Sequence, residues 1–569
     1  MQATIERDAE PARGEATALV DLKPLAALSA AVAASACGGD GNSSTSPPPP
    51  PAPTPPPPAA LTAAEASRFL AQASFGANRA EVDRTRAMGL DAWLDEQLAL
   101  PPGQGHVDWL RAQGYESSTF VNARAPIDYS IWRKFLSSPD QLRQRMVFAL
   151  SQIMVIAVEG ISGRWPAFGA GYYLDLLETH AFGNFRNLLE AVTLSPAMGN
   201  YLSMRGSRKA DTAGRQPDEN YAREVMQLFT IGLVELNADG TARTIGGLTI
   251  DSYGQPDVSG LARVFTGWDY STNLTDTAVS VVTPLVNTAS RHETGSKVFL
   301  GTTIAANTSA TESLRLALDA LANHANVGPF VARQLIQRFV CSNPSPAYVG
   351  RVAAVFANNG SSVRGDLKAV LRALLLDTEA RDTAAARAAA GAGKLREPVL
   401  RFTQWARAAI VGSASGQWRL GNLADPATRL GQSPLHSPSV FNFYRPGYVP
   451  PNTAIATAAE VAPEFQITTE SSVAGYLNFM QSAIATTSGV SGSDLKPDYS
   501  AWLALAGDAT ALADEANLVL AAGQLSADRV ALVRGAVAAM PASTASEQQR
   551  RVQAALLLTL AAPDYLALK

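Results

Sequence analysis

Five polar side chains crowd into nine positions of this chain: Glu219, Asn220, Arg223, Glu224 and Gln227. On a helix, offsets of three and four place Asn220, Arg223, Glu224 and Gln227 on one face, with Val225, Leu228 and Phe229 on another. If that polar stripe is buried, Glu224 must be paired or carry its proton, and a carboxyl with a raised pKa can act as general acid. Arg223 and Asn220 would orient a substrate, with Glu219 completing the catalytic set and Gln227 lying beside it. A plainer reading of the same residues is an amphipathic helix with a Glu219–Arg223 surface pair, or a buried network that fixes helix packing.

Further along, Asn237, Asp239, Asp251 and Asp257 supply oxygen ligands that a calcium ion could gather, although their spacing is not that of an EF-hand and such residues commonly form turns. His292 with Glu293 and His324 could hold a transition metal, so Asp251 and His292 are the candidate ligands for a divalent ion; a histidine beside a helix is more often a cap or a packing residue. Trp268, with Trp132 and Tyr270, could form a sugar platform next to Arg263, and aromatics of this kind also build cores. The chain has no Gly-x-Ser-x-Gly elbow, no complete phosphate loop and no Gly-x-Gly-x-x-Gly turn after a strand, so no nucleotide cofactor is expected.

These residues must be held by a large body. The chain has 569 residues, 47% of them hydrophobic, enough for roughly two to four domains. Its 46 Lys plus Arg against 50 Asp plus Glu leave no basic excess of the kind that binds nucleic acid. Helical spacing recurs throughout: capping boxes at Thr62–Glu65 and Asn78–Glu81, a long buried helix over 139–156, one helix over 218–236, and further helices at 171–180, 185–194, 258–265, 312–321, 327–340, 347–356, 363–376, 399–410, 473–485, 508–521, 526–539 and 545–561. Strand patterns are confined to 240–253 and 279–300, the latter with a hairpin turn at Glu293-Thr294-Gly295-Ser296. The fold class is mainly α: a multi-helical body with a small β-hairpin insertion.

The N-terminus carries an apolar run, 24–36, too short to span a bilayer, followed by Cys37-Gly38-Gly39. This resembles a bacterial lipoprotein signal, which implies cleavage before Cys37 and a lipid on that cysteine; a start near Val20 would shed the acidic leader. Position −3 is Ala34, where such signals usually carry Leu. Residues 38–60, with two proline blocks, read as a linker that favours polyproline II. The expected organisation is a signal over 1–37, a linker over 38–60 and a helical body over 61–569 with a candidate sub-boundary near 380–395. With Cys37 lipidated, Cys341 stands alone and reads as a core residue.

The segment Asp218-Glu219-Asn220-Tyr221-Ala222-Arg223-Glu224, followed downstream by Ala262-Arg263-Val264-Phe265-Thr266-Gly267-Trp268, strongly resembles the bacterial family catalogued as domain of unknown function 1800. Phe69 to Gly76, Ala181 to Phe185, Ser195 to Met198, His292 to Lys297, Lys394 to Pro398 and Gly431 to Pro434 fit the same family, from about Leu61 to the C-terminus. The resemblance implies a secreted or surface-attached helical protein with no established reaction. It also implies a partner: relatives are often encoded beside a second exported family, domain of unknown function 1501 (DUF1501), which resembles sulfatases and alkaline phosphatases.

Two functions are therefore expected. The first is an extracytoplasmic, membrane-anchored hydrolase acting through carboxylates on an extracellular or envelope polymer, and the second is a non-catalytic scaffold that binds the exported DUF1501 partner.

Overall fold

Thr62 and Asn78 open their helices as their spacing predicts. Each side chain accepts a hydrogen bond from the amide three residues on, and Glu65 and Glu81 answer back to the cap amides, satisfying donors that a helix start leaves free. The computed structural model describes residues 60–271, 277–389, 391–485 and 494–569; the leader, Cys37 and nearly all of the proline-rich linker lie outside them. Among the described residues there are twenty-five α-helices, and the strands form only two-stranded antiparallel sheets. The protein is mainly α.

Residues 60–569 form one compact unit, within which the 380–395 region lies. Its main core runs from Ala66 to Tyr565, so the two ends of the body share one interior. Ser67 donates to the Leu518 carbonyl at 2.8 Å, and strand Ala567–Leu568 pairs with Lys394–Leu395. Helix Gln141–Ser151 passes through the middle with all eleven residues buried, Arg143 and Arg145 included. A helix buried on every side needs partners for its polar groups.

Three elements depart from the spacing. The helix expected over 139–156 stops at Ser151; Ile153–Val158 then crosses the core, where the Met154 carbonyl accepts from the Tyr173 hydroxyl and the Val158 amide donates to Leu435 at 2.9 Å. Continuous apolar residues suit a buried extended segment as well as a helix, which is why periodicity did not separate them.

The helix expected over 218–236 is α-helical only at Asn220–Glu224, becomes a π-helix over Val225–Thr230 and ends before Gly232, whose φ of +72° an L side chain rarely adopts. The hairpin turn is not at Glu293–Ser296. Strand Lys297–Phe299 turns at Leu300-Gly301, both with positive φ, into Thr302–Ile304.

Candidate functional site

The π-helix directly follows Glu224. The Ile231 amide bonds the Met226 carbonyl at 2.9 Å, five residues back, and the Thr230 hydroxyl donates to the Val225 carbonyl at 2.6 Å. Such wide turns are rare, cost stability relative to an α-helix and occur frequently at functional sites. Here the α-to-π junction turns Glu224 inward while Glu219 and Arg223 stay at the surface.

Glu224 is 8% exposed, and its Oε2 finds no hydrogen-bond partner among the described residues. Burial pushes its carboxyl up from the ordinary range, and the nearby Arg223 charge only partly opposes this. Gln227 accepts a hydrogen bond from the Tyr253 hydroxyl at 3.2 Å, and Tyr253 feels the charges of both Arg223 and Glu224.

Tyr201, at the end of helix Pro196–Tyr201, connects Glu224 to a second carboxylate. Burial raises its phenol pKa, and the charges of Glu159 and Glu224 raise it further, so both carboxylates bear on one hydroxyl. Gly160 makes this approach possible: a Cβ there would lie 2.5 Å from the Tyr201 ring.

Glu159 stands in a one-turn 3₁₀ helix, Val158–Gly160, and 56% of its side chain is exposed. Burial would raise its carboxyl, but the hydrogen bond and charge of His436 override it and hold Glu159 below the ordinary range.

His436 is clamped from both sides. Its Nε2 lies 2.7 Å from Asp128 Oδ1 and its Nδ1 lies 2.5 Å from Glu159 Oε1, with the Asn422 amide 3.0 Å from the same Nδ1. Burial alone would lower the imidazole, but the two carboxylates win and raise it to about 9. Asp128 moves the other way from a simple ion pair: its burial outweighs His436 and raises its carboxyl.

The loop carrying His436 is positioned by Leu435, a non-glycine residue in the left-handed region at φ +59°, whose carbonyl holds the Val158 amide beside Glu159. Backbone held in that region persists only where its surroundings impose it. Ser437 follows, buried next to Tyr201.

The remaining predicted residues lie elsewhere. Glu219 accepts from Ser259 at 2.6 Å and Gln255 at 2.8 Å and pairs with Arg223 at 3.5 Å, both side chains more than a third exposed. This is the plain surface pair, and it ties the start of Asn220–Glu224 to helix Gln255–Ala262. Asn220 is exposed, its amide bonded to Asp218.

Trp268 is 4% exposed, in strand Trp268–Asp269 against Val286–Asn287. Its ring packs in the core and offers no open platform, a correction to the expected sugar-binding role. Arg263 lies 3.5 Å from Glu293, which also caps the Gly295 amide, near His292 and the fully buried Lys297.

The expected metal residues do not gather. Asp251 is exposed and bridges Val234, while His292 is 3% exposed with Nδ1 3.0 Å from the Thr266 carbonyl. Asp239 caps Thr241, and Asp257 caps Gly254 and Leu300, so these carboxylates hold turns.

Among the described residues, three ligand-type side chains come together only at His106, Asp175 and Glu178, which sequence spacing did not reveal. There Asp175 accepts the His106 and Val107 amides, and the Lys134 ammonium sits 2.5 Å from Glu178. A resident cation, the lysine, already compensates that carboxylate.

Residues 68–567 match the family model described as Protein of unknown function (DUF1800). The chain belongs to the DUF1800 family. No curated protein and no solved structure matches it. Of the motifs that carry the DUF1800 resemblance, Asp218–Glu224 supplies Glu224, and Gly431–Pro434 leads directly into Leu435, His436 and Ser437. That adjacency was the available signal for His436; Asp128, Glu159 and Tyr201 had none.

Proposed function

We propose that this DUF1800 protein is a carboxylate-dependent hydrolase acting on an extracellular or envelope polymer. The observation that carries the reading is the pair of carboxylates bearing on Tyr201 with pKa values pushed apart, Glu224 up and Glu159 down. Two carboxyl groups driven in opposite directions divide into an acid and a base.

Glu224, protonated by its burial, donates to the leaving-group oxygen. Glu159, ionised and open to solvent, takes the proton from an attacking water. The His436 cation, held by Asp128, keeps Glu159 ionised and steadies negative charge that builds beside it. Glycosidic bonds are the first substrates to test, since their hydrolysis uses such a pair. The leader and proline linker support an extracytoplasmic setting, with the lipid on Cys37 as the anchor.

The test is release of reducing ends from a polysaccharide panel by the full chain. Glu224→Gln and Glu159→Gln should each lower turnover by about 10²-fold or more while melting as the parent does. Turnover that survives both substitutions sinks the reading.

The scaffold reading is favoured by one observation, the hairpin Thr244–Thr249, whose tip exposes Ile245 at 73% and Leu248 at 77%. Replacing both by Lys should abolish co-purification with an exported DUF1501 partner if that surface docks it, and leave hydrolysis unchanged.

A further inference from the structure

Helix Gln141–Ser151, helix Val327–Phe339 and the segment from Lys394 into helix Pro398–Ala408 converge on five buried cations. Arg145, Arg338, Lys394, Arg396 and Arg401 are each at most 8% exposed, and two buried carboxylates, Glu397 and Glu464, accompany them. Lys394 lies 3.0 Å from Glu464 and 3.8 Å from Glu397, and donates to the Gln337 and Arg338 carbonyls at 2.9 Å. Arg145 donates through Nη2 to the Arg338 carbonyl and stacks 4.7 Å from the Phe339 ring. Arg401 donates to the Arg396 carbonyl at 2.7 Å.

Five positive groups thus face two carboxylates in a region without water-like dielectric, where uncompensated charge costs several kcal/mol per ion. The imbalance is concentrated at one point. Arg145 Nε and Nη1, Arg338 Nε, and Arg396 Nε and Nη2 are buried without a hydrogen-bond acceptor among the described residues. Arg145, Arg338, Lys394 and Arg396, with Ser74 and Gln404, line an enclosed cavity of about 10 Å³, and neither Glu397 nor Glu464 lines it. That is room for one water-sized particle. A water would accept some of the N–H groups but leave the charge; a single-atom anion accepts them and offsets the charge as well. Burial also pushes Arg145, Arg338 and Arg396 down from their ordinary range, the direction for cations that lack full compensation.

We propose that this cavity binds a monoatomic anion of chloride's size, held by the unpartnered guanidinium N–H groups of Arg145, Arg338 and Arg396. The ion ties together three segments that are far apart in sequence. It is a structural site, separate from Glu224 and Tyr201.

The experiment is thermal unfolding of the full chain at constant ionic strength, exchanging gluconate, which is too large for the cavity, for chloride or bromide. The expected result is a midpoint that climbs with the logarithm of halide concentration by about 1 °C per tenfold. Crystals grown in bromide should show one anomalous peak among the three arginines, and Arg396→Met should flatten the halide dependence. A midpoint equal in gluconate and halide, or a bromide crystal with no peak in the cavity, overturns the proposal. Both readouts use the unsubstituted chain, so they decide even if Arg396→Met fails to fold.

Discussion

Glu178 and Glu224 are both buried carboxylates on helices of the same core, yet the protein treats them in opposite ways. Around Glu178 stand the Lys134 ammonium at 2.5 Å and His106 Nε2 at 3.2 Å, and although burial pushes its carboxyl up, these partners bring it down to about 2. Glu224 has one remote cation and an oxygen without a partner, and its carboxyl goes up. Burial is common to both; compensation is not. A compensated carboxylate holds structure together, whereas an uncompensated one keeps a proton that it can give away.

The widest separation between the two should come from Lys134→Met. Leaving Glu178 buried without its ammonium should cost about 3–5 kcal/mol of unfolding free energy, read by denaturant titration, and adding Glu178→Leu should restore much of it. Glu224→Gln should act inversely, lowering hydrolysis by about 10²-fold, or near 2.7 kcal/mol of transition-state stabilisation, with no loss of stability.

The pH dependence follows in sign. Glu178 has a folded pKa below its ordinary 4.5, so its contribution is present above 4.5 and is lost as pH falls towards about 2. Glu224 has a raised pKa, so its ionisation costs stability as pH rises, and the Gln variant should gain on the parent in that direction.

His436 is raised to about 9, so its clamp contributes fully below pH 6.5 and fades as pH climbs through 9, a limb that His436→Gln should remove from the melting profile. Activity should be bell-shaped, its acid limb set by Glu159 and its alkaline limb by Glu224. Least affected should be Arg223→Ala. Its exposed pair with Glu219 is worth less than about 1 kcal/mol, and melting should scarcely change.

Local chemistry was the legible part of this sequence. The capping boxes at Thr62 and Asn78 and the helix Ala545–Ala561 lie where their residues place them, because caps and helical spacing act within a few positions. Helix Gln141–Ser151 was overextended because a core that excludes water on all sides erases the polar face that marks a boundary. Glu224 was identifiable from the density of polar groups around it. Its assumed companions Arg223 and Asn220 were not correctly oriented, since their shared face supposes an α-helix through Gln227 and the chain switches to π at Val225. Asp128, Glu159 and His436 are separated by up to 308 positions and meet only through the tertiary fold, beyond the reach of any local pattern.

The π-helix at Val225–Thr230 also carries information in its length. Each α-helical residue advances the chain by about 100° around the axis, so a π turn amounts to one residue more than an α-helical path between the same ends would hold. Deleting a single residue from this stretch would let it rewind as α-helix, and everything after it would arrive turned by roughly a quarter of a revolution relative to Glu224. Side-chain substitutions here are graded changes, whereas a one-codon deletion would mis-set Glu224 against Tyr253 and the rest of the core at once. The count of residues between Glu224 and Gly232 is thus as much a part of the site as their identities.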